Sequence, residues 1–313
     1  MRFWMRRLAA LGLFVGVLLT GLTLLTPWQP ALDILNNGLP YLLAGALFVL
    51  ALAVLTRDPR FVLTATLLAA INLVLFVTAY RGAADAAAPG ADRFLRIVTF
   101  NLWGRSDRIS EVGQFLAKTD ADAVVLQEVS RRNATALKEA IGSSYPFSAG
   151  HNGIVIFSKH PILTSGRLDR PDYPPWISLM LRWARIDIKG KVLDIAGVHL
   201  ARPFYPELQQ EDITGLIQFV QSRTGPHIVA GDFNMSPWTE KLARFTTATG
   251  LRRYNTFHLT WPLRRGSVRL IPLVAIDNVF ASPHFARIAT EGGPRLGSDH
   301  RPIIVDLALA QPW

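Results

Sequence analysis

Two hydrophobic patterns divide the chain. In the first quarter, residues 8–26, 39–56 and 61–80 are apolar runs without a single charged side chain. Each is long enough to cross a hydrocarbon core of about 30 Å as a helix. The stretches between them are short. Residues 27–38 carry Asp33 as their only charge, and the second break is Arg57-Asp58-Pro59-Arg60. Residues 1–80 therefore read as a membrane anchor of three adjacent transmembrane helices.

From residue 94 onward, short β-branched and apolar runs alternate with helical periodicity. Strands are expected at 95–102, 123–129, 153–158, 181–188, 192–200, 227–233, 276–281 and 302–309. Helices are expected at 105–120, 131–141, 206–222 and 238–249, and Lys189-Gly190 reads as a tight hairpin turn. Residues 81–93, rich in alanine and glycine, read as a linker. Residues 94–313 then form one layered α/β domain with a mixed sheet.

The arginines give an orientation, because positive residues beside short loops are retained on the cytoplasmic side. Arg2, Arg6 and Arg7 precede the first run, and Arg57 and Arg60 separate the second from the third. Both clusters belong inside. This predicts a multi-pass cell-membrane protein with a cytoplasmic N-terminus and an extracytoplasmic C-terminal domain, periplasmic in a Gram-negative cell. Trp4, Trp28, Tyr41 and Tyr80 sit near the span ends, where amphipathic rings favour the interface. A cleaved signal peptide is the competing reading of the first 26 residues. The run is longer than a usual h-region, however, and no small-x-small site precedes Pro27.

Composition narrows the chemistry. The absence of cysteine excludes disulfides, thiolate metal sites and cysteine nucleophiles. The formal charge is +10; five arginines and two aspartates give +3 in residues 1–80 and leave +7 beyond them. That excess suits anionic partners: nucleic acid, phospholipid head groups or phosphorylated substrates.

Several expected strands end in polar groups, the usual lining of a cleft in α/β folds. Asn101, Glu128, Asp232, Asn234 and Asp299 are oxygen donors, a set suited to a hard cation such as Mg²⁺ or Mn²⁺. His199 and His300 supply imidazoles, with Asp277 or a neighbouring carboxylate to orient one of them. Singly, each has an ordinary explanation as a cap, a turn former or a salt-bridged surface group. Their joint order along the chain carries the argument.

The segments Thr99-Phe100-Asn101, Leu126-Gln127-Glu128, Gly153 to Ser158, His199-Leu200, Gly231-Asp232-Phe233-Asn234, Ile276 to Phe280 and Ser298-Asp299-His300-Arg301-Pro302 follow one another in a familiar order. In this the chain resembles the endonuclease/exonuclease/phosphatase superfamily of DNase I-like metal-dependent phosphoesterases. The resemblance runs from about Leu95 to the C-terminus and leaves the three spans out.

It implies a four-layered α/β sandwich with the site at one edge of two sheets. By the family pattern, Glu128 is the principal Mg²⁺ ligand, with Asn101 and Asp299 nearby. Asp232 orients or deprotonates water, or binds a second metal, and Asn234 holds the phosphate. His300, supported by Asp277, pairs with the scissile phosphate, and His199 assists the leaving group. Abasic-site nucleases carry tyrosine where this chain has His199. At that position the chain is closer to the DNase I-like and sphingomyelinase-like branches.

The anchor favours a lipid substrate, since tethering raises the effective concentration toward lipids of the same leaflet. Residues 172–180 and 259–274 mix aromatic and apolar side chains, the second with Arg264, Arg265 and Arg269, and suit an anionic bilayer surface or ordinary core. The leading expectation is hydrolysis of a lipid-linked phosphoester or diphosphate on a phospholipid, sphingolipid or polyprenyl phosphate. An extracytoplasmic nuclease acting on DNA or RNA is the alternative. A catalytically dead relative that binds a partner is a third reading, opposed by the presence of every metal and histidine position.

Overall fold

The computed structural model describes residues 2–104, 108–169, 180–255 and 257–310. The N-terminal part contains helices α1 (Arg2–Leu24), α2 (Leu39–Thr56) and α3 (Pro59–Thr78), which by length and composition are able to cross a membrane. Leu13, Val49, Ala53, Ala65 and Leu68 form their shared core. Asn72 on α3 donates to Thr20 Oγ1 on α1 at 2.9 Å, the kind of interhelical bond that pins helices in an apolar medium. Arg6 lies 3.6 Å from Asp58, so the start of α1 and the α2–α3 turn share one end of the bundle. The other end meets the second half of the chain.

Between α1 and α2 the chain forms a 3₁₀ helix, Pro30–Gly38, rather than a bare connection. After α3 come β1 (Leu95–Asn101), α4 (Ile109–Thr119), β2 (Ala123–Val129), α5 (Arg131–Ile141), β3 (Phe147–Ser158), β4 (Ile162–Asp169), β5 (Met180–Ile188), β6 (Lys191–His199) and α6 (Pro206–Gln221). They are followed by β7 (His227–Asp232), α7 (Glu240–Thr249), β8 (Arg252–Arg253), β9 (Arg264–Arg265), β10 (Val268–Arg269), β11 (Asp277–Ala281), β12 (Phe285–Gly292) and β13 (Ile303–Leu309).

Two mixed sheets result, in the orders β12-β13-β1-β2-β3 and β4-β5-β6-β7-β11-β8, beside the small β9-β10 hairpin. Their facing sides share a core that includes Ile97, Val125, Ile156, Ile195, Ile228 and Val305. α4 and α5 cover the outer face of the first sheet through Val112, Leu116 and Leu137, which meet Val98, Val124 and Phe157. α6 and α7 cover the second through Ile213, Leu216, Leu242 and Phe245. Strands such as β1 are thus apolar on both faces, which is why they read as continuous hydrophobic runs. The architecture is the expected four-layered α/β sandwich preceded by three apolar helices.

Differences from the expected elements have local causes. β4 and β12 are edge strands, where one-sided pairing leaves many positions exposed and weakens the alternation; β12 also carries a register shift between Arg287 and Ala289. β3 begins earlier than expected, at Phe147. α7 begins at Glu240 instead of residue 238, because its first turn is capped from the 3₁₀ helix described below. Residues 105–107 of the expected helix 105–120 and residues 172–179 of the expected aromatic segment lie outside the described residues. Along the stretch expected as a linker, Ala84 N donates to Arg253 O and Ala87 N to Arg287 O, so this chain segment follows the edges of both sheets. Lys189 and Gly190 have φ of 55° and 82° and close the β5–β6 hairpin.

Candidate active site

Strand register assembles half of the site. His199 at the end of β6 is paired with Asp232 at the end of β7, and Asp232 with Asp277 at the start of β11. Directly paired residues on neighbouring strands point to the same face, so the three side chains stand side by side. Gly231 makes the approach of β6 and β7 possible: a Cβ there would lie 2.0 Å from Val198 O. The other sheet supplies Asn101 from the end of β1 and Glu128 from β2. Glu128 has φ of 52° and sits where the β2–β3 register shifts between Leu126 and Val129, a bulge that redirects its side chain. Asp299 and His300 come from the segment before β13.

Asn101 stitches the two sheets together. Its Nδ2 donates to Glu128 Oε1 at 3.2 Å and to Asp232 Oδ2 at 2.9 Å, while its Oδ1 accepts Trp103 N at 2.9 Å. Ser298 Oγ donates to Asn101 O at 2.7 Å and accepts His300 N at 3.0 Å, which ties the last segment to the first strand. His300 Nδ1 donates to Asp277 Oδ2 at 2.9 Å, leaving Nε2 at 3.7 Å from Asp232 Oδ2 and 4.0 Å from Asp299 Oδ1. His199 Nε2 is 3.7 Å from both Glu128 Oε1 and Asp232 Oδ2. Asn234, at φ 51°, donates its backbone N to Asp232 Oδ1 at 2.8 Å and its Nδ2 to Leu200 O at 2.9 Å. One side-chain donor of Asn234 is therefore already committed to the fold.

All eight expected residues thus meet at one end of the sandwich. The cleft there has a volume of about 450 Å³ and is lined by Glu128, His199, Asp232, Asn234, Asp299 and His300. A larger cavity of about 600 Å³ lies where the span ends meet α7 and contains none of these groups. The cleft also includes residues the sequence reading did not single out: Trp103, Arg202, Phe204, and Ile34 and Asn37 from the 3₁₀ helix. Trp261, within the expected aromatic stretch, lines it too and donates Nε1 to Asp299 Oδ2 at 3.1 Å. Arg202 stands three residues after His199, which is the sequence signal for it. Ile34 and Asn37 carry no such signal.

Burial sets the charges. Desolvation raises the Asp232 carboxyl, against the pull of His300 and His199, and raises Asp299 in the same way. Burial alone would lower His300, but Asp277, Asp232 and Asp299 outweigh it and push the imidazole up to about 10. The ring is then protonated at neutral pH and balances the carboxylates around it. Asp277 Oδ1 and Asp299 Oδ1 remain buried with no hydrogen-bond partner among the described residues. A carboxylate oxygen in that position is costly unless a cation meets it.

The donor set fits a hard cation on this ground: Glu128 and Asp299 offer carboxylate oxygens, Asp299 Oδ1 has no hydrogen-bond partner among the described residues, and Asn101 Oδ1 keeps one lone pair beside the bond it accepts from Trp103 N. Asp232, Asp277 and His300 also bring ligand-type atoms within 4.8 Å of one another. There, the 2.9 Å bond from His300 Nδ1 to Asp277 already uses one of those atoms, and the group reads better as a histidine held between two carboxylates.

Residues 98–300 match the Endonuclease/Exonuclease/phosphatase family, and the chain belongs to it. Among curated proteins it is similar to the inositol phosphosphingolipids phospholipase C of Schizosaccharomyces pombe, at 28% identity over 46% of this chain and 42% of that protein. It is also similar to human sphingomyelin phosphodiesterase 2, at 27% identity over 46% of this chain and 41% of the other. The match spans about two-fifths of the length of these relatives. An endonuclease/exonuclease/phosphatase from Bacteroides vulgatus shares the fold, with a TM-score of 0.56 and 21% identity over 69% of this chain and 98% of that structure.

Proposed function

We propose that the chain is a membrane-anchored, metal-dependent phosphoester hydrolase acting on a lipid-linked phosphoester or diphosphate. The observation that carries the hydrolytic reading is the buried Asp277–His300 pair beside Asp232, Glu128 and Asp299, with carboxylate oxygens left without partners. The lipid reading is supported by the three apolar helices and by relatives whose names refer to sphingolipid phosphodiesters. The arginine pattern at one end of the bundle supports an extracytoplasmic catalytic domain.

Glu128, Asn101 and Asp299 would hold Mg²⁺ or Mn²⁺. When bound, the cation polarises phosphoryl oxygens and offsets charge on the leaving oxygen. Asp232 orients the attacking water and takes its proton at the carboxylate that burial has made more basic. Protonated His300, aimed by Asp277, sets a positive charge beside a non-bridging phosphoryl oxygen. His199 stands on the same face and delivers a proton to the departing oxygen. Asn234 fixes Asp232 through its backbone N–H and keeps a side-chain donor for the phosphate.

The test is hydrolysis by the purified full-length protein in detergent micelles, with Mg²⁺ or EDTA, on a phospholipid, a lipid diphosphate and supercoiled DNA in parallel. Metal-dependent head-group or phosphate release is expected, reduced at least 100-fold in Glu128→Ala, on the order of an essential electrostatic group. Nicked DNA with intact lipid would overturn the substrate class and make the spans a localisation device for a nuclease.

A further inference from the structure

The 3₁₀ helix between the first two spans is built into the catalytic half of the chain. Asp33 Oδ1 accepts Glu240 N at 2.8 Å and Oδ2 accepts Lys241 N at 3.2 Å, capping α7 from a position more than two hundred residues away. Lys241 Nζ reaches Pro30 O at 2.9 Å and Asp33 Oδ2 at 3.4 Å, and both side chains are 2% exposed. The segment is thereby held in one place. Its next residues, Ile34 and Asn37, line the same cleft as Glu128, His199, Asp232 and Asp299.

The orientation of Asn37 follows from its partner. Ser236 N donates to Asn37 at 2.7 Å, so the receiving atom is the amide oxygen and the NH₂ group faces elsewhere. That NH₂ has no protein partner among the described residues, and the residue borders the cleft. An apolar edge continues from this point to the start of α2: Val274 lines the cleft, and Tyr41 on α2 donates to Leu273 O. Ile271 and Leu273 are 77% and 50% exposed there.

We propose that this interspan segment is part of the substrate site, with the Asn37 amide as a donor to the phosphorylated head group and Ile34 as an apolar wall. The cleft then takes an amphiphile from the leaflet in which the protein's own spans are embedded. Its phosphate reaches the carboxylate and histidine groups while its hydrocarbon stays along Ile34 and the 271–274 edge. The substrate class rests on the function proposed above; the contact at Asn37 does not.

Two substitutions separate contact from scaffolding. Asn37→Asp keeps the acceptor for Ser236 N–H and replaces the donors with an anion, whereas Asn37→Ala removes both. With the full-length protein in mixed micelles, KM and kcat are measured on sphingomyelin and on water-soluble bis(p-nitrophenyl) phosphate, together with the melting temperature. Asn37→Asp is expected to raise KM at least tenfold on both substrates at an unchanged melting temperature. Ile34→Asp is expected to lower the lipid-to-soluble ratio of kcat/KM at least tenfold.

A wild-type KM in Asn37→Asp would overturn the head-group contact. An equal loss on both substrates in Ile34→Asp would overturn the apolar wall. Cleavage of DNA but of no lipid by the unsubstituted protein would remove the proposed substrate class. In that case the KM of Asn37→Asp on DNA still decides the contact.

Discussion

The Asp277 carboxylate accepts one hydrogen bond, from His300, and its second oxygen has no partner among the described residues. Its charge is the largest influence opposing the burial that would otherwise strip the proton from His300. A histidine raised above its ordinary value contributes stability that is complete below about pH 6.5 and is lost as pH rises through the folded value near 10. Activity that needs the imidazolium declines over the same alkaline range. Asp277→Asn keeps the shape and removes the charge. It is expected to lower kcat by about 10²- to 10⁴-fold, the usual range for one acid–base group, and to move the alkaline limb toward neutral pH. A pH–rate profile checks this; an unshifted limb would mean that His300 does not act in its charged form. At this scale much was legible in the sequence, because Gly231 to Asn234 and Ser298 to Pro302 are local runs. The pair of hydrogen bonds donated by Asn101 was not, since its partners Glu128 and Asp232 lie 27 and 131 residues away.

Elements whose faces are both covered announced themselves, as β1, β2 and β7 did through continuous apolar runs. The edge strands β4 and β12 did not, because half of their pairing is missing and their outward positions tolerate polar residues. α7 shows a different limit. Its own Thr239 makes no side-chain bond to the first turn, so the cap had to come from elsewhere, and it comes from Asp33. In the sequence Asp33 is visible only as the lone charge of an otherwise uncharged stretch. Asp33→Ala leaves the Lys241 ammonium buried without its carboxylate and exposes two helix donors. A destabilisation of about 3–5 kcal/mol is expected for such a broken buried pair. Differential scanning fluorimetry in detergent would read it as a fall of roughly 2–4 °C per kcal/mol. A change of under one degree would show that the spans and the sandwich do not stabilise each other through this contact.

At the scale of the molecule, the three helices are more than a tether in sequence ahead of an enzyme. Trp238 donates to Phe76 O at 3.1 Å, and Phe76 stacks on Trp238 and Phe257 with centroids 5.5 and 5.1 Å apart. Arg253 Nη2 reaches Ala79 O at 2.9 Å. These contacts join the end of α3 to the sandwich, as the 3₁₀ helix joins α1 and α2 to it. Hydropathy alone predicts the spans, but it gives no reason for them to touch the catalytic layers, because those contacts are single side chains far apart in the chain. Under the function proposed above, a site held in this way takes lipid from the bilayer that its own spans cross. The most direct measurement is therefore hydrolysis by the full-length protein reconstituted into vesicles with Mg²⁺, the labelled sphingomyelin being placed either in the same vesicles or in separate protein-free ones. Hydrolysis confined to the protein's own vesicles, and abolished by EDTA or by Glu128→Ala, is the result the account predicts. Equal turnover in the separate vesicles, or turnover of dissolved DNA with the lipid left intact, would contradict it.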